Sequence, residues 1–203
     1  MSRYTGPRVK VLRALGTELP GLTRKSNQRR PYPPGQHGQA RRKLSEFALR
    51  LIEKQKLAMN YGLSERQLLG LMIEASSAKG NTGERLLEFL ERRLDNAVFR
   101  AGFGRTIPAA RQLINHGHVL VNDRRVDIAS YRVRINDVIR LRDRSKDLPH
   151  VAASLATPLA FQTPWLSLDA DKRIATVVGL PEPSSVPFPI NVQRVVEYYS
   201  QRT

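Results

Sequence analysis

The sequence predicts a mixed α+β fold: a helical domain with a basic, extended N-terminus, and a small inserted α/β module of two helices and a β-hairpin sheet. Three observations predict it. Apolar residues recur at helical spacing over residues 44–101, the spacing changes to two after residue 118, and proline, glycine and basic residues are frequent in residues 1–43. The predicted regions are a basic N-terminal extension over 1–43, a helical domain over 44–89 completed by 153–203, and the module over 90–152.

The extension contains five prolines and five glycines, with basic clusters at Arg24–Arg30 and Arg41–Lys43. It offers too little apolar surface to offset the entropy of ordering. Two interpretations stay open: a floppy tail, or a segment that folds only against its partner.

The helices are predicted from N-cap residues and apolar spacing. Ser45 caps a first helix and Ser64 a second. Asn81 or Thr82 begins a helix over 81–101, with Glu84 completing a capping-box arrangement. Thr106 caps a shorter helix that tolerates Pro108 in its first turn.

After Gly117 the apolar period becomes two, which predicts strands. Val119–Val121 leads through a turn at Asn122-Asp123 into a return strand, and the β pattern resumes at Val133. The later predicted elements are a mildly helical stretch over 148–163, strands over 164–169 and 174–178, and a closing helix over 190–199.

The net charge is strongly positive. The 203 residues carry 34 Lys and Arg against 18 Asp and Glu, a formal net charge of +16, and arginine outnumbers lysine 26 to 8. The net charge is +11 over residues 1–60 and +6 over residues 91–150. A well-solvated surface is the plain alternative, but the planar guanidinium suits phosphate and base contacts. The charge therefore favours specific contact with a folded nucleic acid.

Other function classes lack their signatures. The chain has no cysteine, which excludes a disulfide framework, a thiol nucleophile and a Cys-based metal site. No apolar run approaches the roughly 18 residues of a membrane span, and the basic stretches lack the apolar face of an interfacial helix. No phosphate-loop or Gly-x-Ser-x-Gly motif occurs. We therefore expect no enzyme, no cofactor, no metal, no membrane contact and no small-molecule substrate.

Several segments match a known family. They are Leu90–Gly104, Ala110–Asn122, Ile128–Tyr131, Pro34–Gly38, Tyr61–Leu68, Lys79–Gly83 and Val196–Tyr199. The first three resemble the RNA-binding domain named after small-subunit ribosomal protein four, and the others resemble the bacterial form of that protein. Pro20–Lys25 and Tyr198-Tyr199 look most like its cyanobacterial and plastid branch.

This resemblance implies a structural constituent of the small ribosomal subunit. Such a protein binds small-subunit (16S-type) ribosomal RNA early, at a multi-helix junction of the 5′ domain, and nucleates assembly of the subunit body. The implied protein partners are small-subunit proteins three, five and twelve, with an effect on translational accuracy. The resemblance also implies contact with messenger RNA (mRNA) where it enters the subunit, and a location in the ribosome, either in the cytoplasm or in the plastid stroma.

The candidate RNA-contacting residues are cations and polar side chains of the extension, of the first helix and of the module. They are Arg3, Arg8, Lys10, Arg13, Arg24, Lys25, Arg29, Arg30, Gln36, His37, Arg41, Arg42, Lys43, Lys54, Lys56, Arg92, Arg93, Arg100, Arg105, Arg111, His116, His118, Asn122, Arg124 and Arg125. By the resemblance, Arg41, Arg42 and Lys43 match the basic cluster beside mRNA. Asp95, close to two of these arginines, is expected to be an ion-pair partner and not a general base.

Two departures from the family matter. Some members bind zinc through cysteines in the extension, and this chain has none. The hairpin turn is Asn122-Asp123 where the family often has Asn-Gly, which brings a negative charge close to the expected RNA face.

Two other functions are weighed against this interpretation. An RNA-modifying enzyme with the same module needs a catalytic domain, for which the neutral residues after 152 are too few. A general RNA chaperone would act on unrelated hairpins without preferring ribosomal RNA.

Overall fold

The computed structural model describes residues 4–40, 43–146, 148–157, 163–169 and 172–201. The chain forms two compact units: an N-terminal unit of residues 1–86 and 187–203, and a module unit of residues 87–186. The helices are α1 Arg8–Leu15, α2 Glu46–Asn60, α3 Glu65–Ser77, α4 Thr82–Glu91, α5 Leu94–Arg100, α6 Ile107–Asn115, α7 Pro149–Leu155 and α8 Val192–Ser200. The strands are β1 Val119–Val121, β2 Arg124–Arg125, β3 Val138–Leu141, β4 Leu166–Asp169 and β5 Ile174–Val177.

The predicted caps of the N-terminal unit are confirmed. The Ser45 hydroxyl accepts a hydrogen bond from the Ala48 amide at the start of α2. Ser64 and Gln67 form a reciprocal capping box at the start of α3. Helix α8, predicted as a closing helix, packs against α2 and α3. The rings of Phe47 and Tyr198 lie 5.9 Å apart at this contact.

The N-terminal extension is more ordered than its composition predicted. Leu12 and Leu19 are fully buried, and Leu22 is only 3% exposed. The segment packs on α2, where the Asn60 side chain accepts a hydrogen bond from the Gly21 amide at 2.9 Å. A few leucines inserted beside a neighbouring helix therefore order a stretch that looked too polar to fold by itself.

The prediction of one continuous helix over residues 81–101 is wrong at Arg92–Arg93. Arg93 has extended backbone angles (φ −65°, ψ 139°) and bridges to Arg132. The Leu94 amide donates to the Tyr131 carbonyl at 2.8 Å, and the Val133 amide donates to the Arg92 carbonyl at 2.9 Å. Residues 131–133 thus form hydrogen bonds with backbone groups that a continuous helix would pair internally. The helix is therefore interrupted between α4 and α5.

The module unit contains one antiparallel sheet in the order β2-β1-β3-β5-β4. Strand β1 pairs with both β2 and β3, with Leu120 opposite Arg125 and Arg140. Strand β3 also pairs with β5, with Ile139 opposite Ala175. The alternation of apolar residues and arginines over residues 138–144 predicts a longer strand than β3, but the chain turns into a short 3₁₀ helix at Asp143–Ser145.

The two units differ from the predicted regions in two places: the C-terminal end of the module, and the N-terminal extension. Residues 153–186 group with the module unit because β5 extends its sheet, and only residues from Pro187 onward complete the helical unit. Residues 1–43 group with the helical unit because α1 packs on α2. In the part of the chain that the structure describes, no helix is both long and apolar enough to span a bilayer.

Candidate nucleic-acid interface

A buried carboxylate holds two arginines of the module unit in place. Asp95 is 1% exposed and accepts two hydrogen bonds from Arg93, at 3.1 and 2.9 Å. It also accepts two from Arg111 on α6, at 3.1 and 2.5 Å. The Arg93 side chain is 7% exposed and that of Arg111 is 21% exposed. We call these three residues the Asp95 clamp, whose more open edge is the Arg111 guanidinium.

Arg100, predicted as an RNA contact, instead lies inside the module unit. It is 2% exposed, and its guanidinium donates to the Glu91 carboxylate at 2.7 and 3.0 Å. It also donates to the Ser185 carbonyl, which belongs to the later part of the same unit. A guanidinium so enclosed is out of reach of a phosphate, and we leave Arg100 out of the interface.

Arg92 and Arg105 are held by backbone carbonyls. Arg92 donates to the Val133 carbonyl at 3.1 Å and forms an ion pair with Glu88 at 2.8 Å. Arg105 is exposed and donates to the Ala153 carbonyl at 3.1 Å, just before the N-cap Thr106 of α6. Arg105 therefore lies beside the amide groups of a helix N-terminus, an arrangement that attracts phosphate.

The hairpin turn adopts the conformation that its residues predicted. Asn122 and Asp123 both have positive φ, 49° and 64°, as a type I′ turn requires. The Asn122 side chain donates to Asp137 at 2.8 Å and accepts from the Val138 amide at 2.9 Å. Asp123, whose charge looked unfavourable beside RNA, accepts a hydrogen bond from Arg140 at 2.6 Å. The Arg140 charge therefore offsets this departure from Asn-Gly.

The two histidines around Gly117 lie at the start of β1, beside exposed arginines. The His118 Nδ1 atom is 2.9 Å from the Ser145 hydroxyl. Partial burial lowers the pKa of His118 below its usual 6.5, and the charges of His116, His150 and Arg142 lower it further. Arg124 and Arg125 are exposed on β2.

Among the described residues of the extension, the predicted RNA-contacting side chains fall into two groups. Arg8 donates to the Leu22 carbonyl at 3.2 Å, and Arg13 donates to the carbonyls of Tyr32 and Pro33 at 3.0 and 3.3 Å. The exposed group consists of Lys10, Arg24, Lys25, Arg29, Arg30, Gln36, His37 and Lys43. Arg13, Arg29 and Arg30 border an open cavity of about 360 Å³.

Lys54 and Lys56, also predicted as RNA contacts, are largely buried on α2. Lys56 donates to Glu53 at 2.7 Å, and Lys54 pairs with Glu65. Lys54 also lies 5.4 Å from the ring centre of Tyr198. We leave both lysines out of the interface.

Of the predicted RNA-contacting residues, Arg3, Arg41 and Arg42 lie outside the described residues.

Three arginines near the candidate interface were not among the site residues predicted from the sequence. Arg140 and Arg142 follow the hairpin, and their alternation with Ile139 and Leu141 was the available signal. Arg132 lies 4.4 Å from the ring centre of Phe89, a contact that no local pattern predicts. Within the described ranges, no group of three or more His, Asp or Glu side chains is arranged to hold a metal ion.

The module's two helices, hairpin and clamped arginines define a class of RNA-binding proteins, and comparison with known proteins identifies the family. Residues 3–91 match the "Ribosomal protein S4/S9 N-terminal domain", and residues 92–139 match the "S4 domain". Proteins named "Small ribosomal subunit protein uS4" are 55% identical in Methylobacillus flagellatus, 56% in Synechococcus elongatus and 53% in Prochlorococcus marinus. Each alignment covers 100% of both chains.

The chain belongs to the uS4 family of ribosomal proteins. The predicted resemblance to ribosomal protein four is confirmed, with cyanobacterial relatives among the matches. The protein of Methylobacillus flagellatus matches at a similar identity. The proteins of this family are structural and not enzymes, which agrees with the expectation that the chain has no catalytic role.

Proposed function

We propose that this chain is a primary binder of small-subunit ribosomal RNA that holds a multi-helix junction of the 5′ domain and nucleates assembly of the subunit body. Membership of the uS4 family supports the ribosomal role. The observation that carries the RNA contact is the Asp95 clamp, in which one buried carboxylate fixes the Arg111 guanidinium, the more exposed of its two partners, before RNA arrives. Pre-ordered donors lose less entropy on binding than flexible ones.

The geometry suits recognition of RNA shape. The deep, narrow major groove of an A-form helix hides its base edges, so backbone and junction shape are what side chains contact. Arg111, Arg105 and Arg124 present guanidinium groups on a helix, at a helix start and on a hairpin strand. Phosphate contacts of this kind supply most of the affinity.

The proposal also includes specific protein neighbours, mRNA and a location. Small-subunit proteins three, five and twelve are the proposed neighbours, and the contact with protein five is the proposed route to translational accuracy. Of the three residues expected beside mRNA, Lys43 is described and is exposed. The proposed location is the ribosome, in the cytoplasm or in a plastid.

Binding to a transcript of the 5′ domain, compared with a random duplex of equal length, tests the proposal. With roughly 6–10 phosphate contacts, the affinity should fall about 10³–10⁵-fold between 50 and 200 mM salt. Saturable binding with a clear preference for the 5′-domain transcript would support the proposal. Equal affinity for both RNAs, or binding that ignores salt, would contradict it and favour a general chaperone.

A further inference from the structure

Histidines and arginines of the module unit lie close together around the turn between α6 and β1. The rings of His116 and His118 lie 6.1 Å apart on either side of Gly117. The Arg142 amide donates to the His118 carbonyl at 2.9 Å, and its guanidinium approaches the Gly117 carbonyl at 3.4 Å. His150 on α7 is close enough for its charge to act on His118.

Gly117 lets Arg125 join this group. Gly117 has a φ of 70°, and a Cβ added there would fall 2.8 Å from Arg125 Nη2, so the Arg125 guanidinium lies directly against the Gly117 backbone. We define the histidine patch as His116, His118, His150, Arg125 and Arg142. Its members come from the turn between α6 and β1, from β2, from the segment after β3 and from α7.

The acids around the patch already have basic neighbours. Asp127 lies 4.0 Å from Arg125. Asp143 pairs with Lys146 at 2.8 Å, and the hydrogen bond and charge of Lys146 lower the pKa of Asp143. Arg140 is a further cation 3.9 Å from Asp143. The charges that act on His118 itself are those of His116, His150 and Arg142, and the Ser145 hydroxyl contacts its Nδ1 atom.

We propose that the histidine patch is an RNA-phosphate subsite whose affinity rises as His118 takes up a proton. This inference rests on the proposed function, because it adds a pH dependence to the binding of the same RNA. A phosphate among these groups would meet two guanidinium groups at every pH, and a charged imidazole only when one is protonated.

The direction of the pH effect follows from the two states of His118. In the free protein its lowered pKa leaves the ring neutral at pH 7. A bound phosphate favours the charged ring and raises that pKa, so binding takes up a proton. The affinity should therefore rise as pH falls through the pKa of the bound state, and level off below the pKa of the free state. The slope is at most about tenfold per pH unit for each proton taken up.

The test measures binding of the full chain to the 5′-domain transcript from pH 8.5 to pH 5.5 at constant ionic strength. The wild-type dissociation constant should fall on acidification, and His118→Gln should flatten the slope while keeping a polar group beside Ser145. Because RNA bases also titrate, the slope difference between the two proteins is the decisive quantity. Ser184→Ala, which alters an exposed, non-titrating side chain outside the candidate RNA-contacting residues, is the comparison and should retain the wild-type slope.

NMR titration of the His118 ring provides a second readout. Its pKa should be higher in the complex than in the free protein. Equal slopes for wild type and His118→Gln, or an unchanged His118 pKa in the complex, would overturn the inference. Specific binding at pH 8 would still support the proposed function in that case. Absence of specific binding at every pH would instead contradict the proposed function.

Discussion

In the module unit a buried carboxylate holds Arg93 and Arg111, whereas in the N-terminal unit Arg8 and Arg13 donate to backbone carbonyls and Arg29 and Arg30 are exposed. The first arrangement fixes its donors before a ligand binds. The second leaves several long side chains to be ordered by the ligand itself. Both arrangements carry positive charge, but mutations in them should have different effects. A mutation in the module should lower the free energy of unfolding, whereas one in the N-terminal unit should mainly weaken the electrostatic part of RNA affinity.

Removing the carboxylate of the Asp95 clamp should have the largest effect. Asp95→Ala leaves two guanidinium groups without their shared buried partner, which should destabilise the module by about 3–5 kcal/mol in urea unfolding. Asp123→Asn is the matched control, because asparagine tolerates the positive φ of the turn and the exposed pair with Arg140 should contribute less than about 1 kcal/mol. Equal losses in the two variants would show that the clamp has no special role.

Cavities in the two units test whether both are folded without RNA. Leu94→Ala or Leu90→Ala in the module, and Leu12→Ala in the N-terminal unit, each truncate a fully buried side chain and should cost about 2–5 kcal/mol. Leu44→Ala, at 46% exposed, should change stability by less than about 0.5 kcal/mol. A Leu12→Ala loss as small as that of Leu44→Ala would show that the extension orders only on binding.

Truncating each clamp arginine should separate binding from stability. The sequence predicts that Arg93→Ala and Arg111→Ala both weaken RNA binding without unfolding. The burial of Arg93 now indicates that its loss also destabilises the fold, whereas the more exposed Arg111 should mainly lose affinity, by about 1.5–3 kcal/mol. Thermal melts and transcript binding measured on both variants check this, and equal stability losses would contradict the difference in burial.

The exposed arginines of the N-terminal unit should show the smallest change in stability. Arg29→Gln and Arg30→Gln should leave the melting temperature unchanged, since neither side chain is enclosed. Each lost phosphate contact should reduce the slope of log affinity against log salt by about one. Measuring that slope for the single and double variants shows whether the exposed cations contact phosphate, and an unaltered slope would place the RNA elsewhere.

Local sequence predicted the helix starts and the hairpin well. The caps at Ser45, Ser64 and Thr106 and the turn at Asn122-Asp123 depend on hydrogen bonds between residues a few positions apart. The site prediction was less selective, because every arginine looks alike in a sequence. Burial decides which of them can reach a phosphate, and burial placed Arg100 inside the module and Lys56 on a covered face of α2.

The sequence by itself determined a basic α+β protein of the uS4 family, because charge, periodicity and family motifs are written in neighbouring residues. Only the tertiary structure decided the break between α4 and α5, the pairing of β5 with β3, and the convergence of Arg93 and Arg111 on Asp95. These features depend on groups brought together from distant parts of the chain. Their energies come from burial and pairing, which no short stretch of sequence contains.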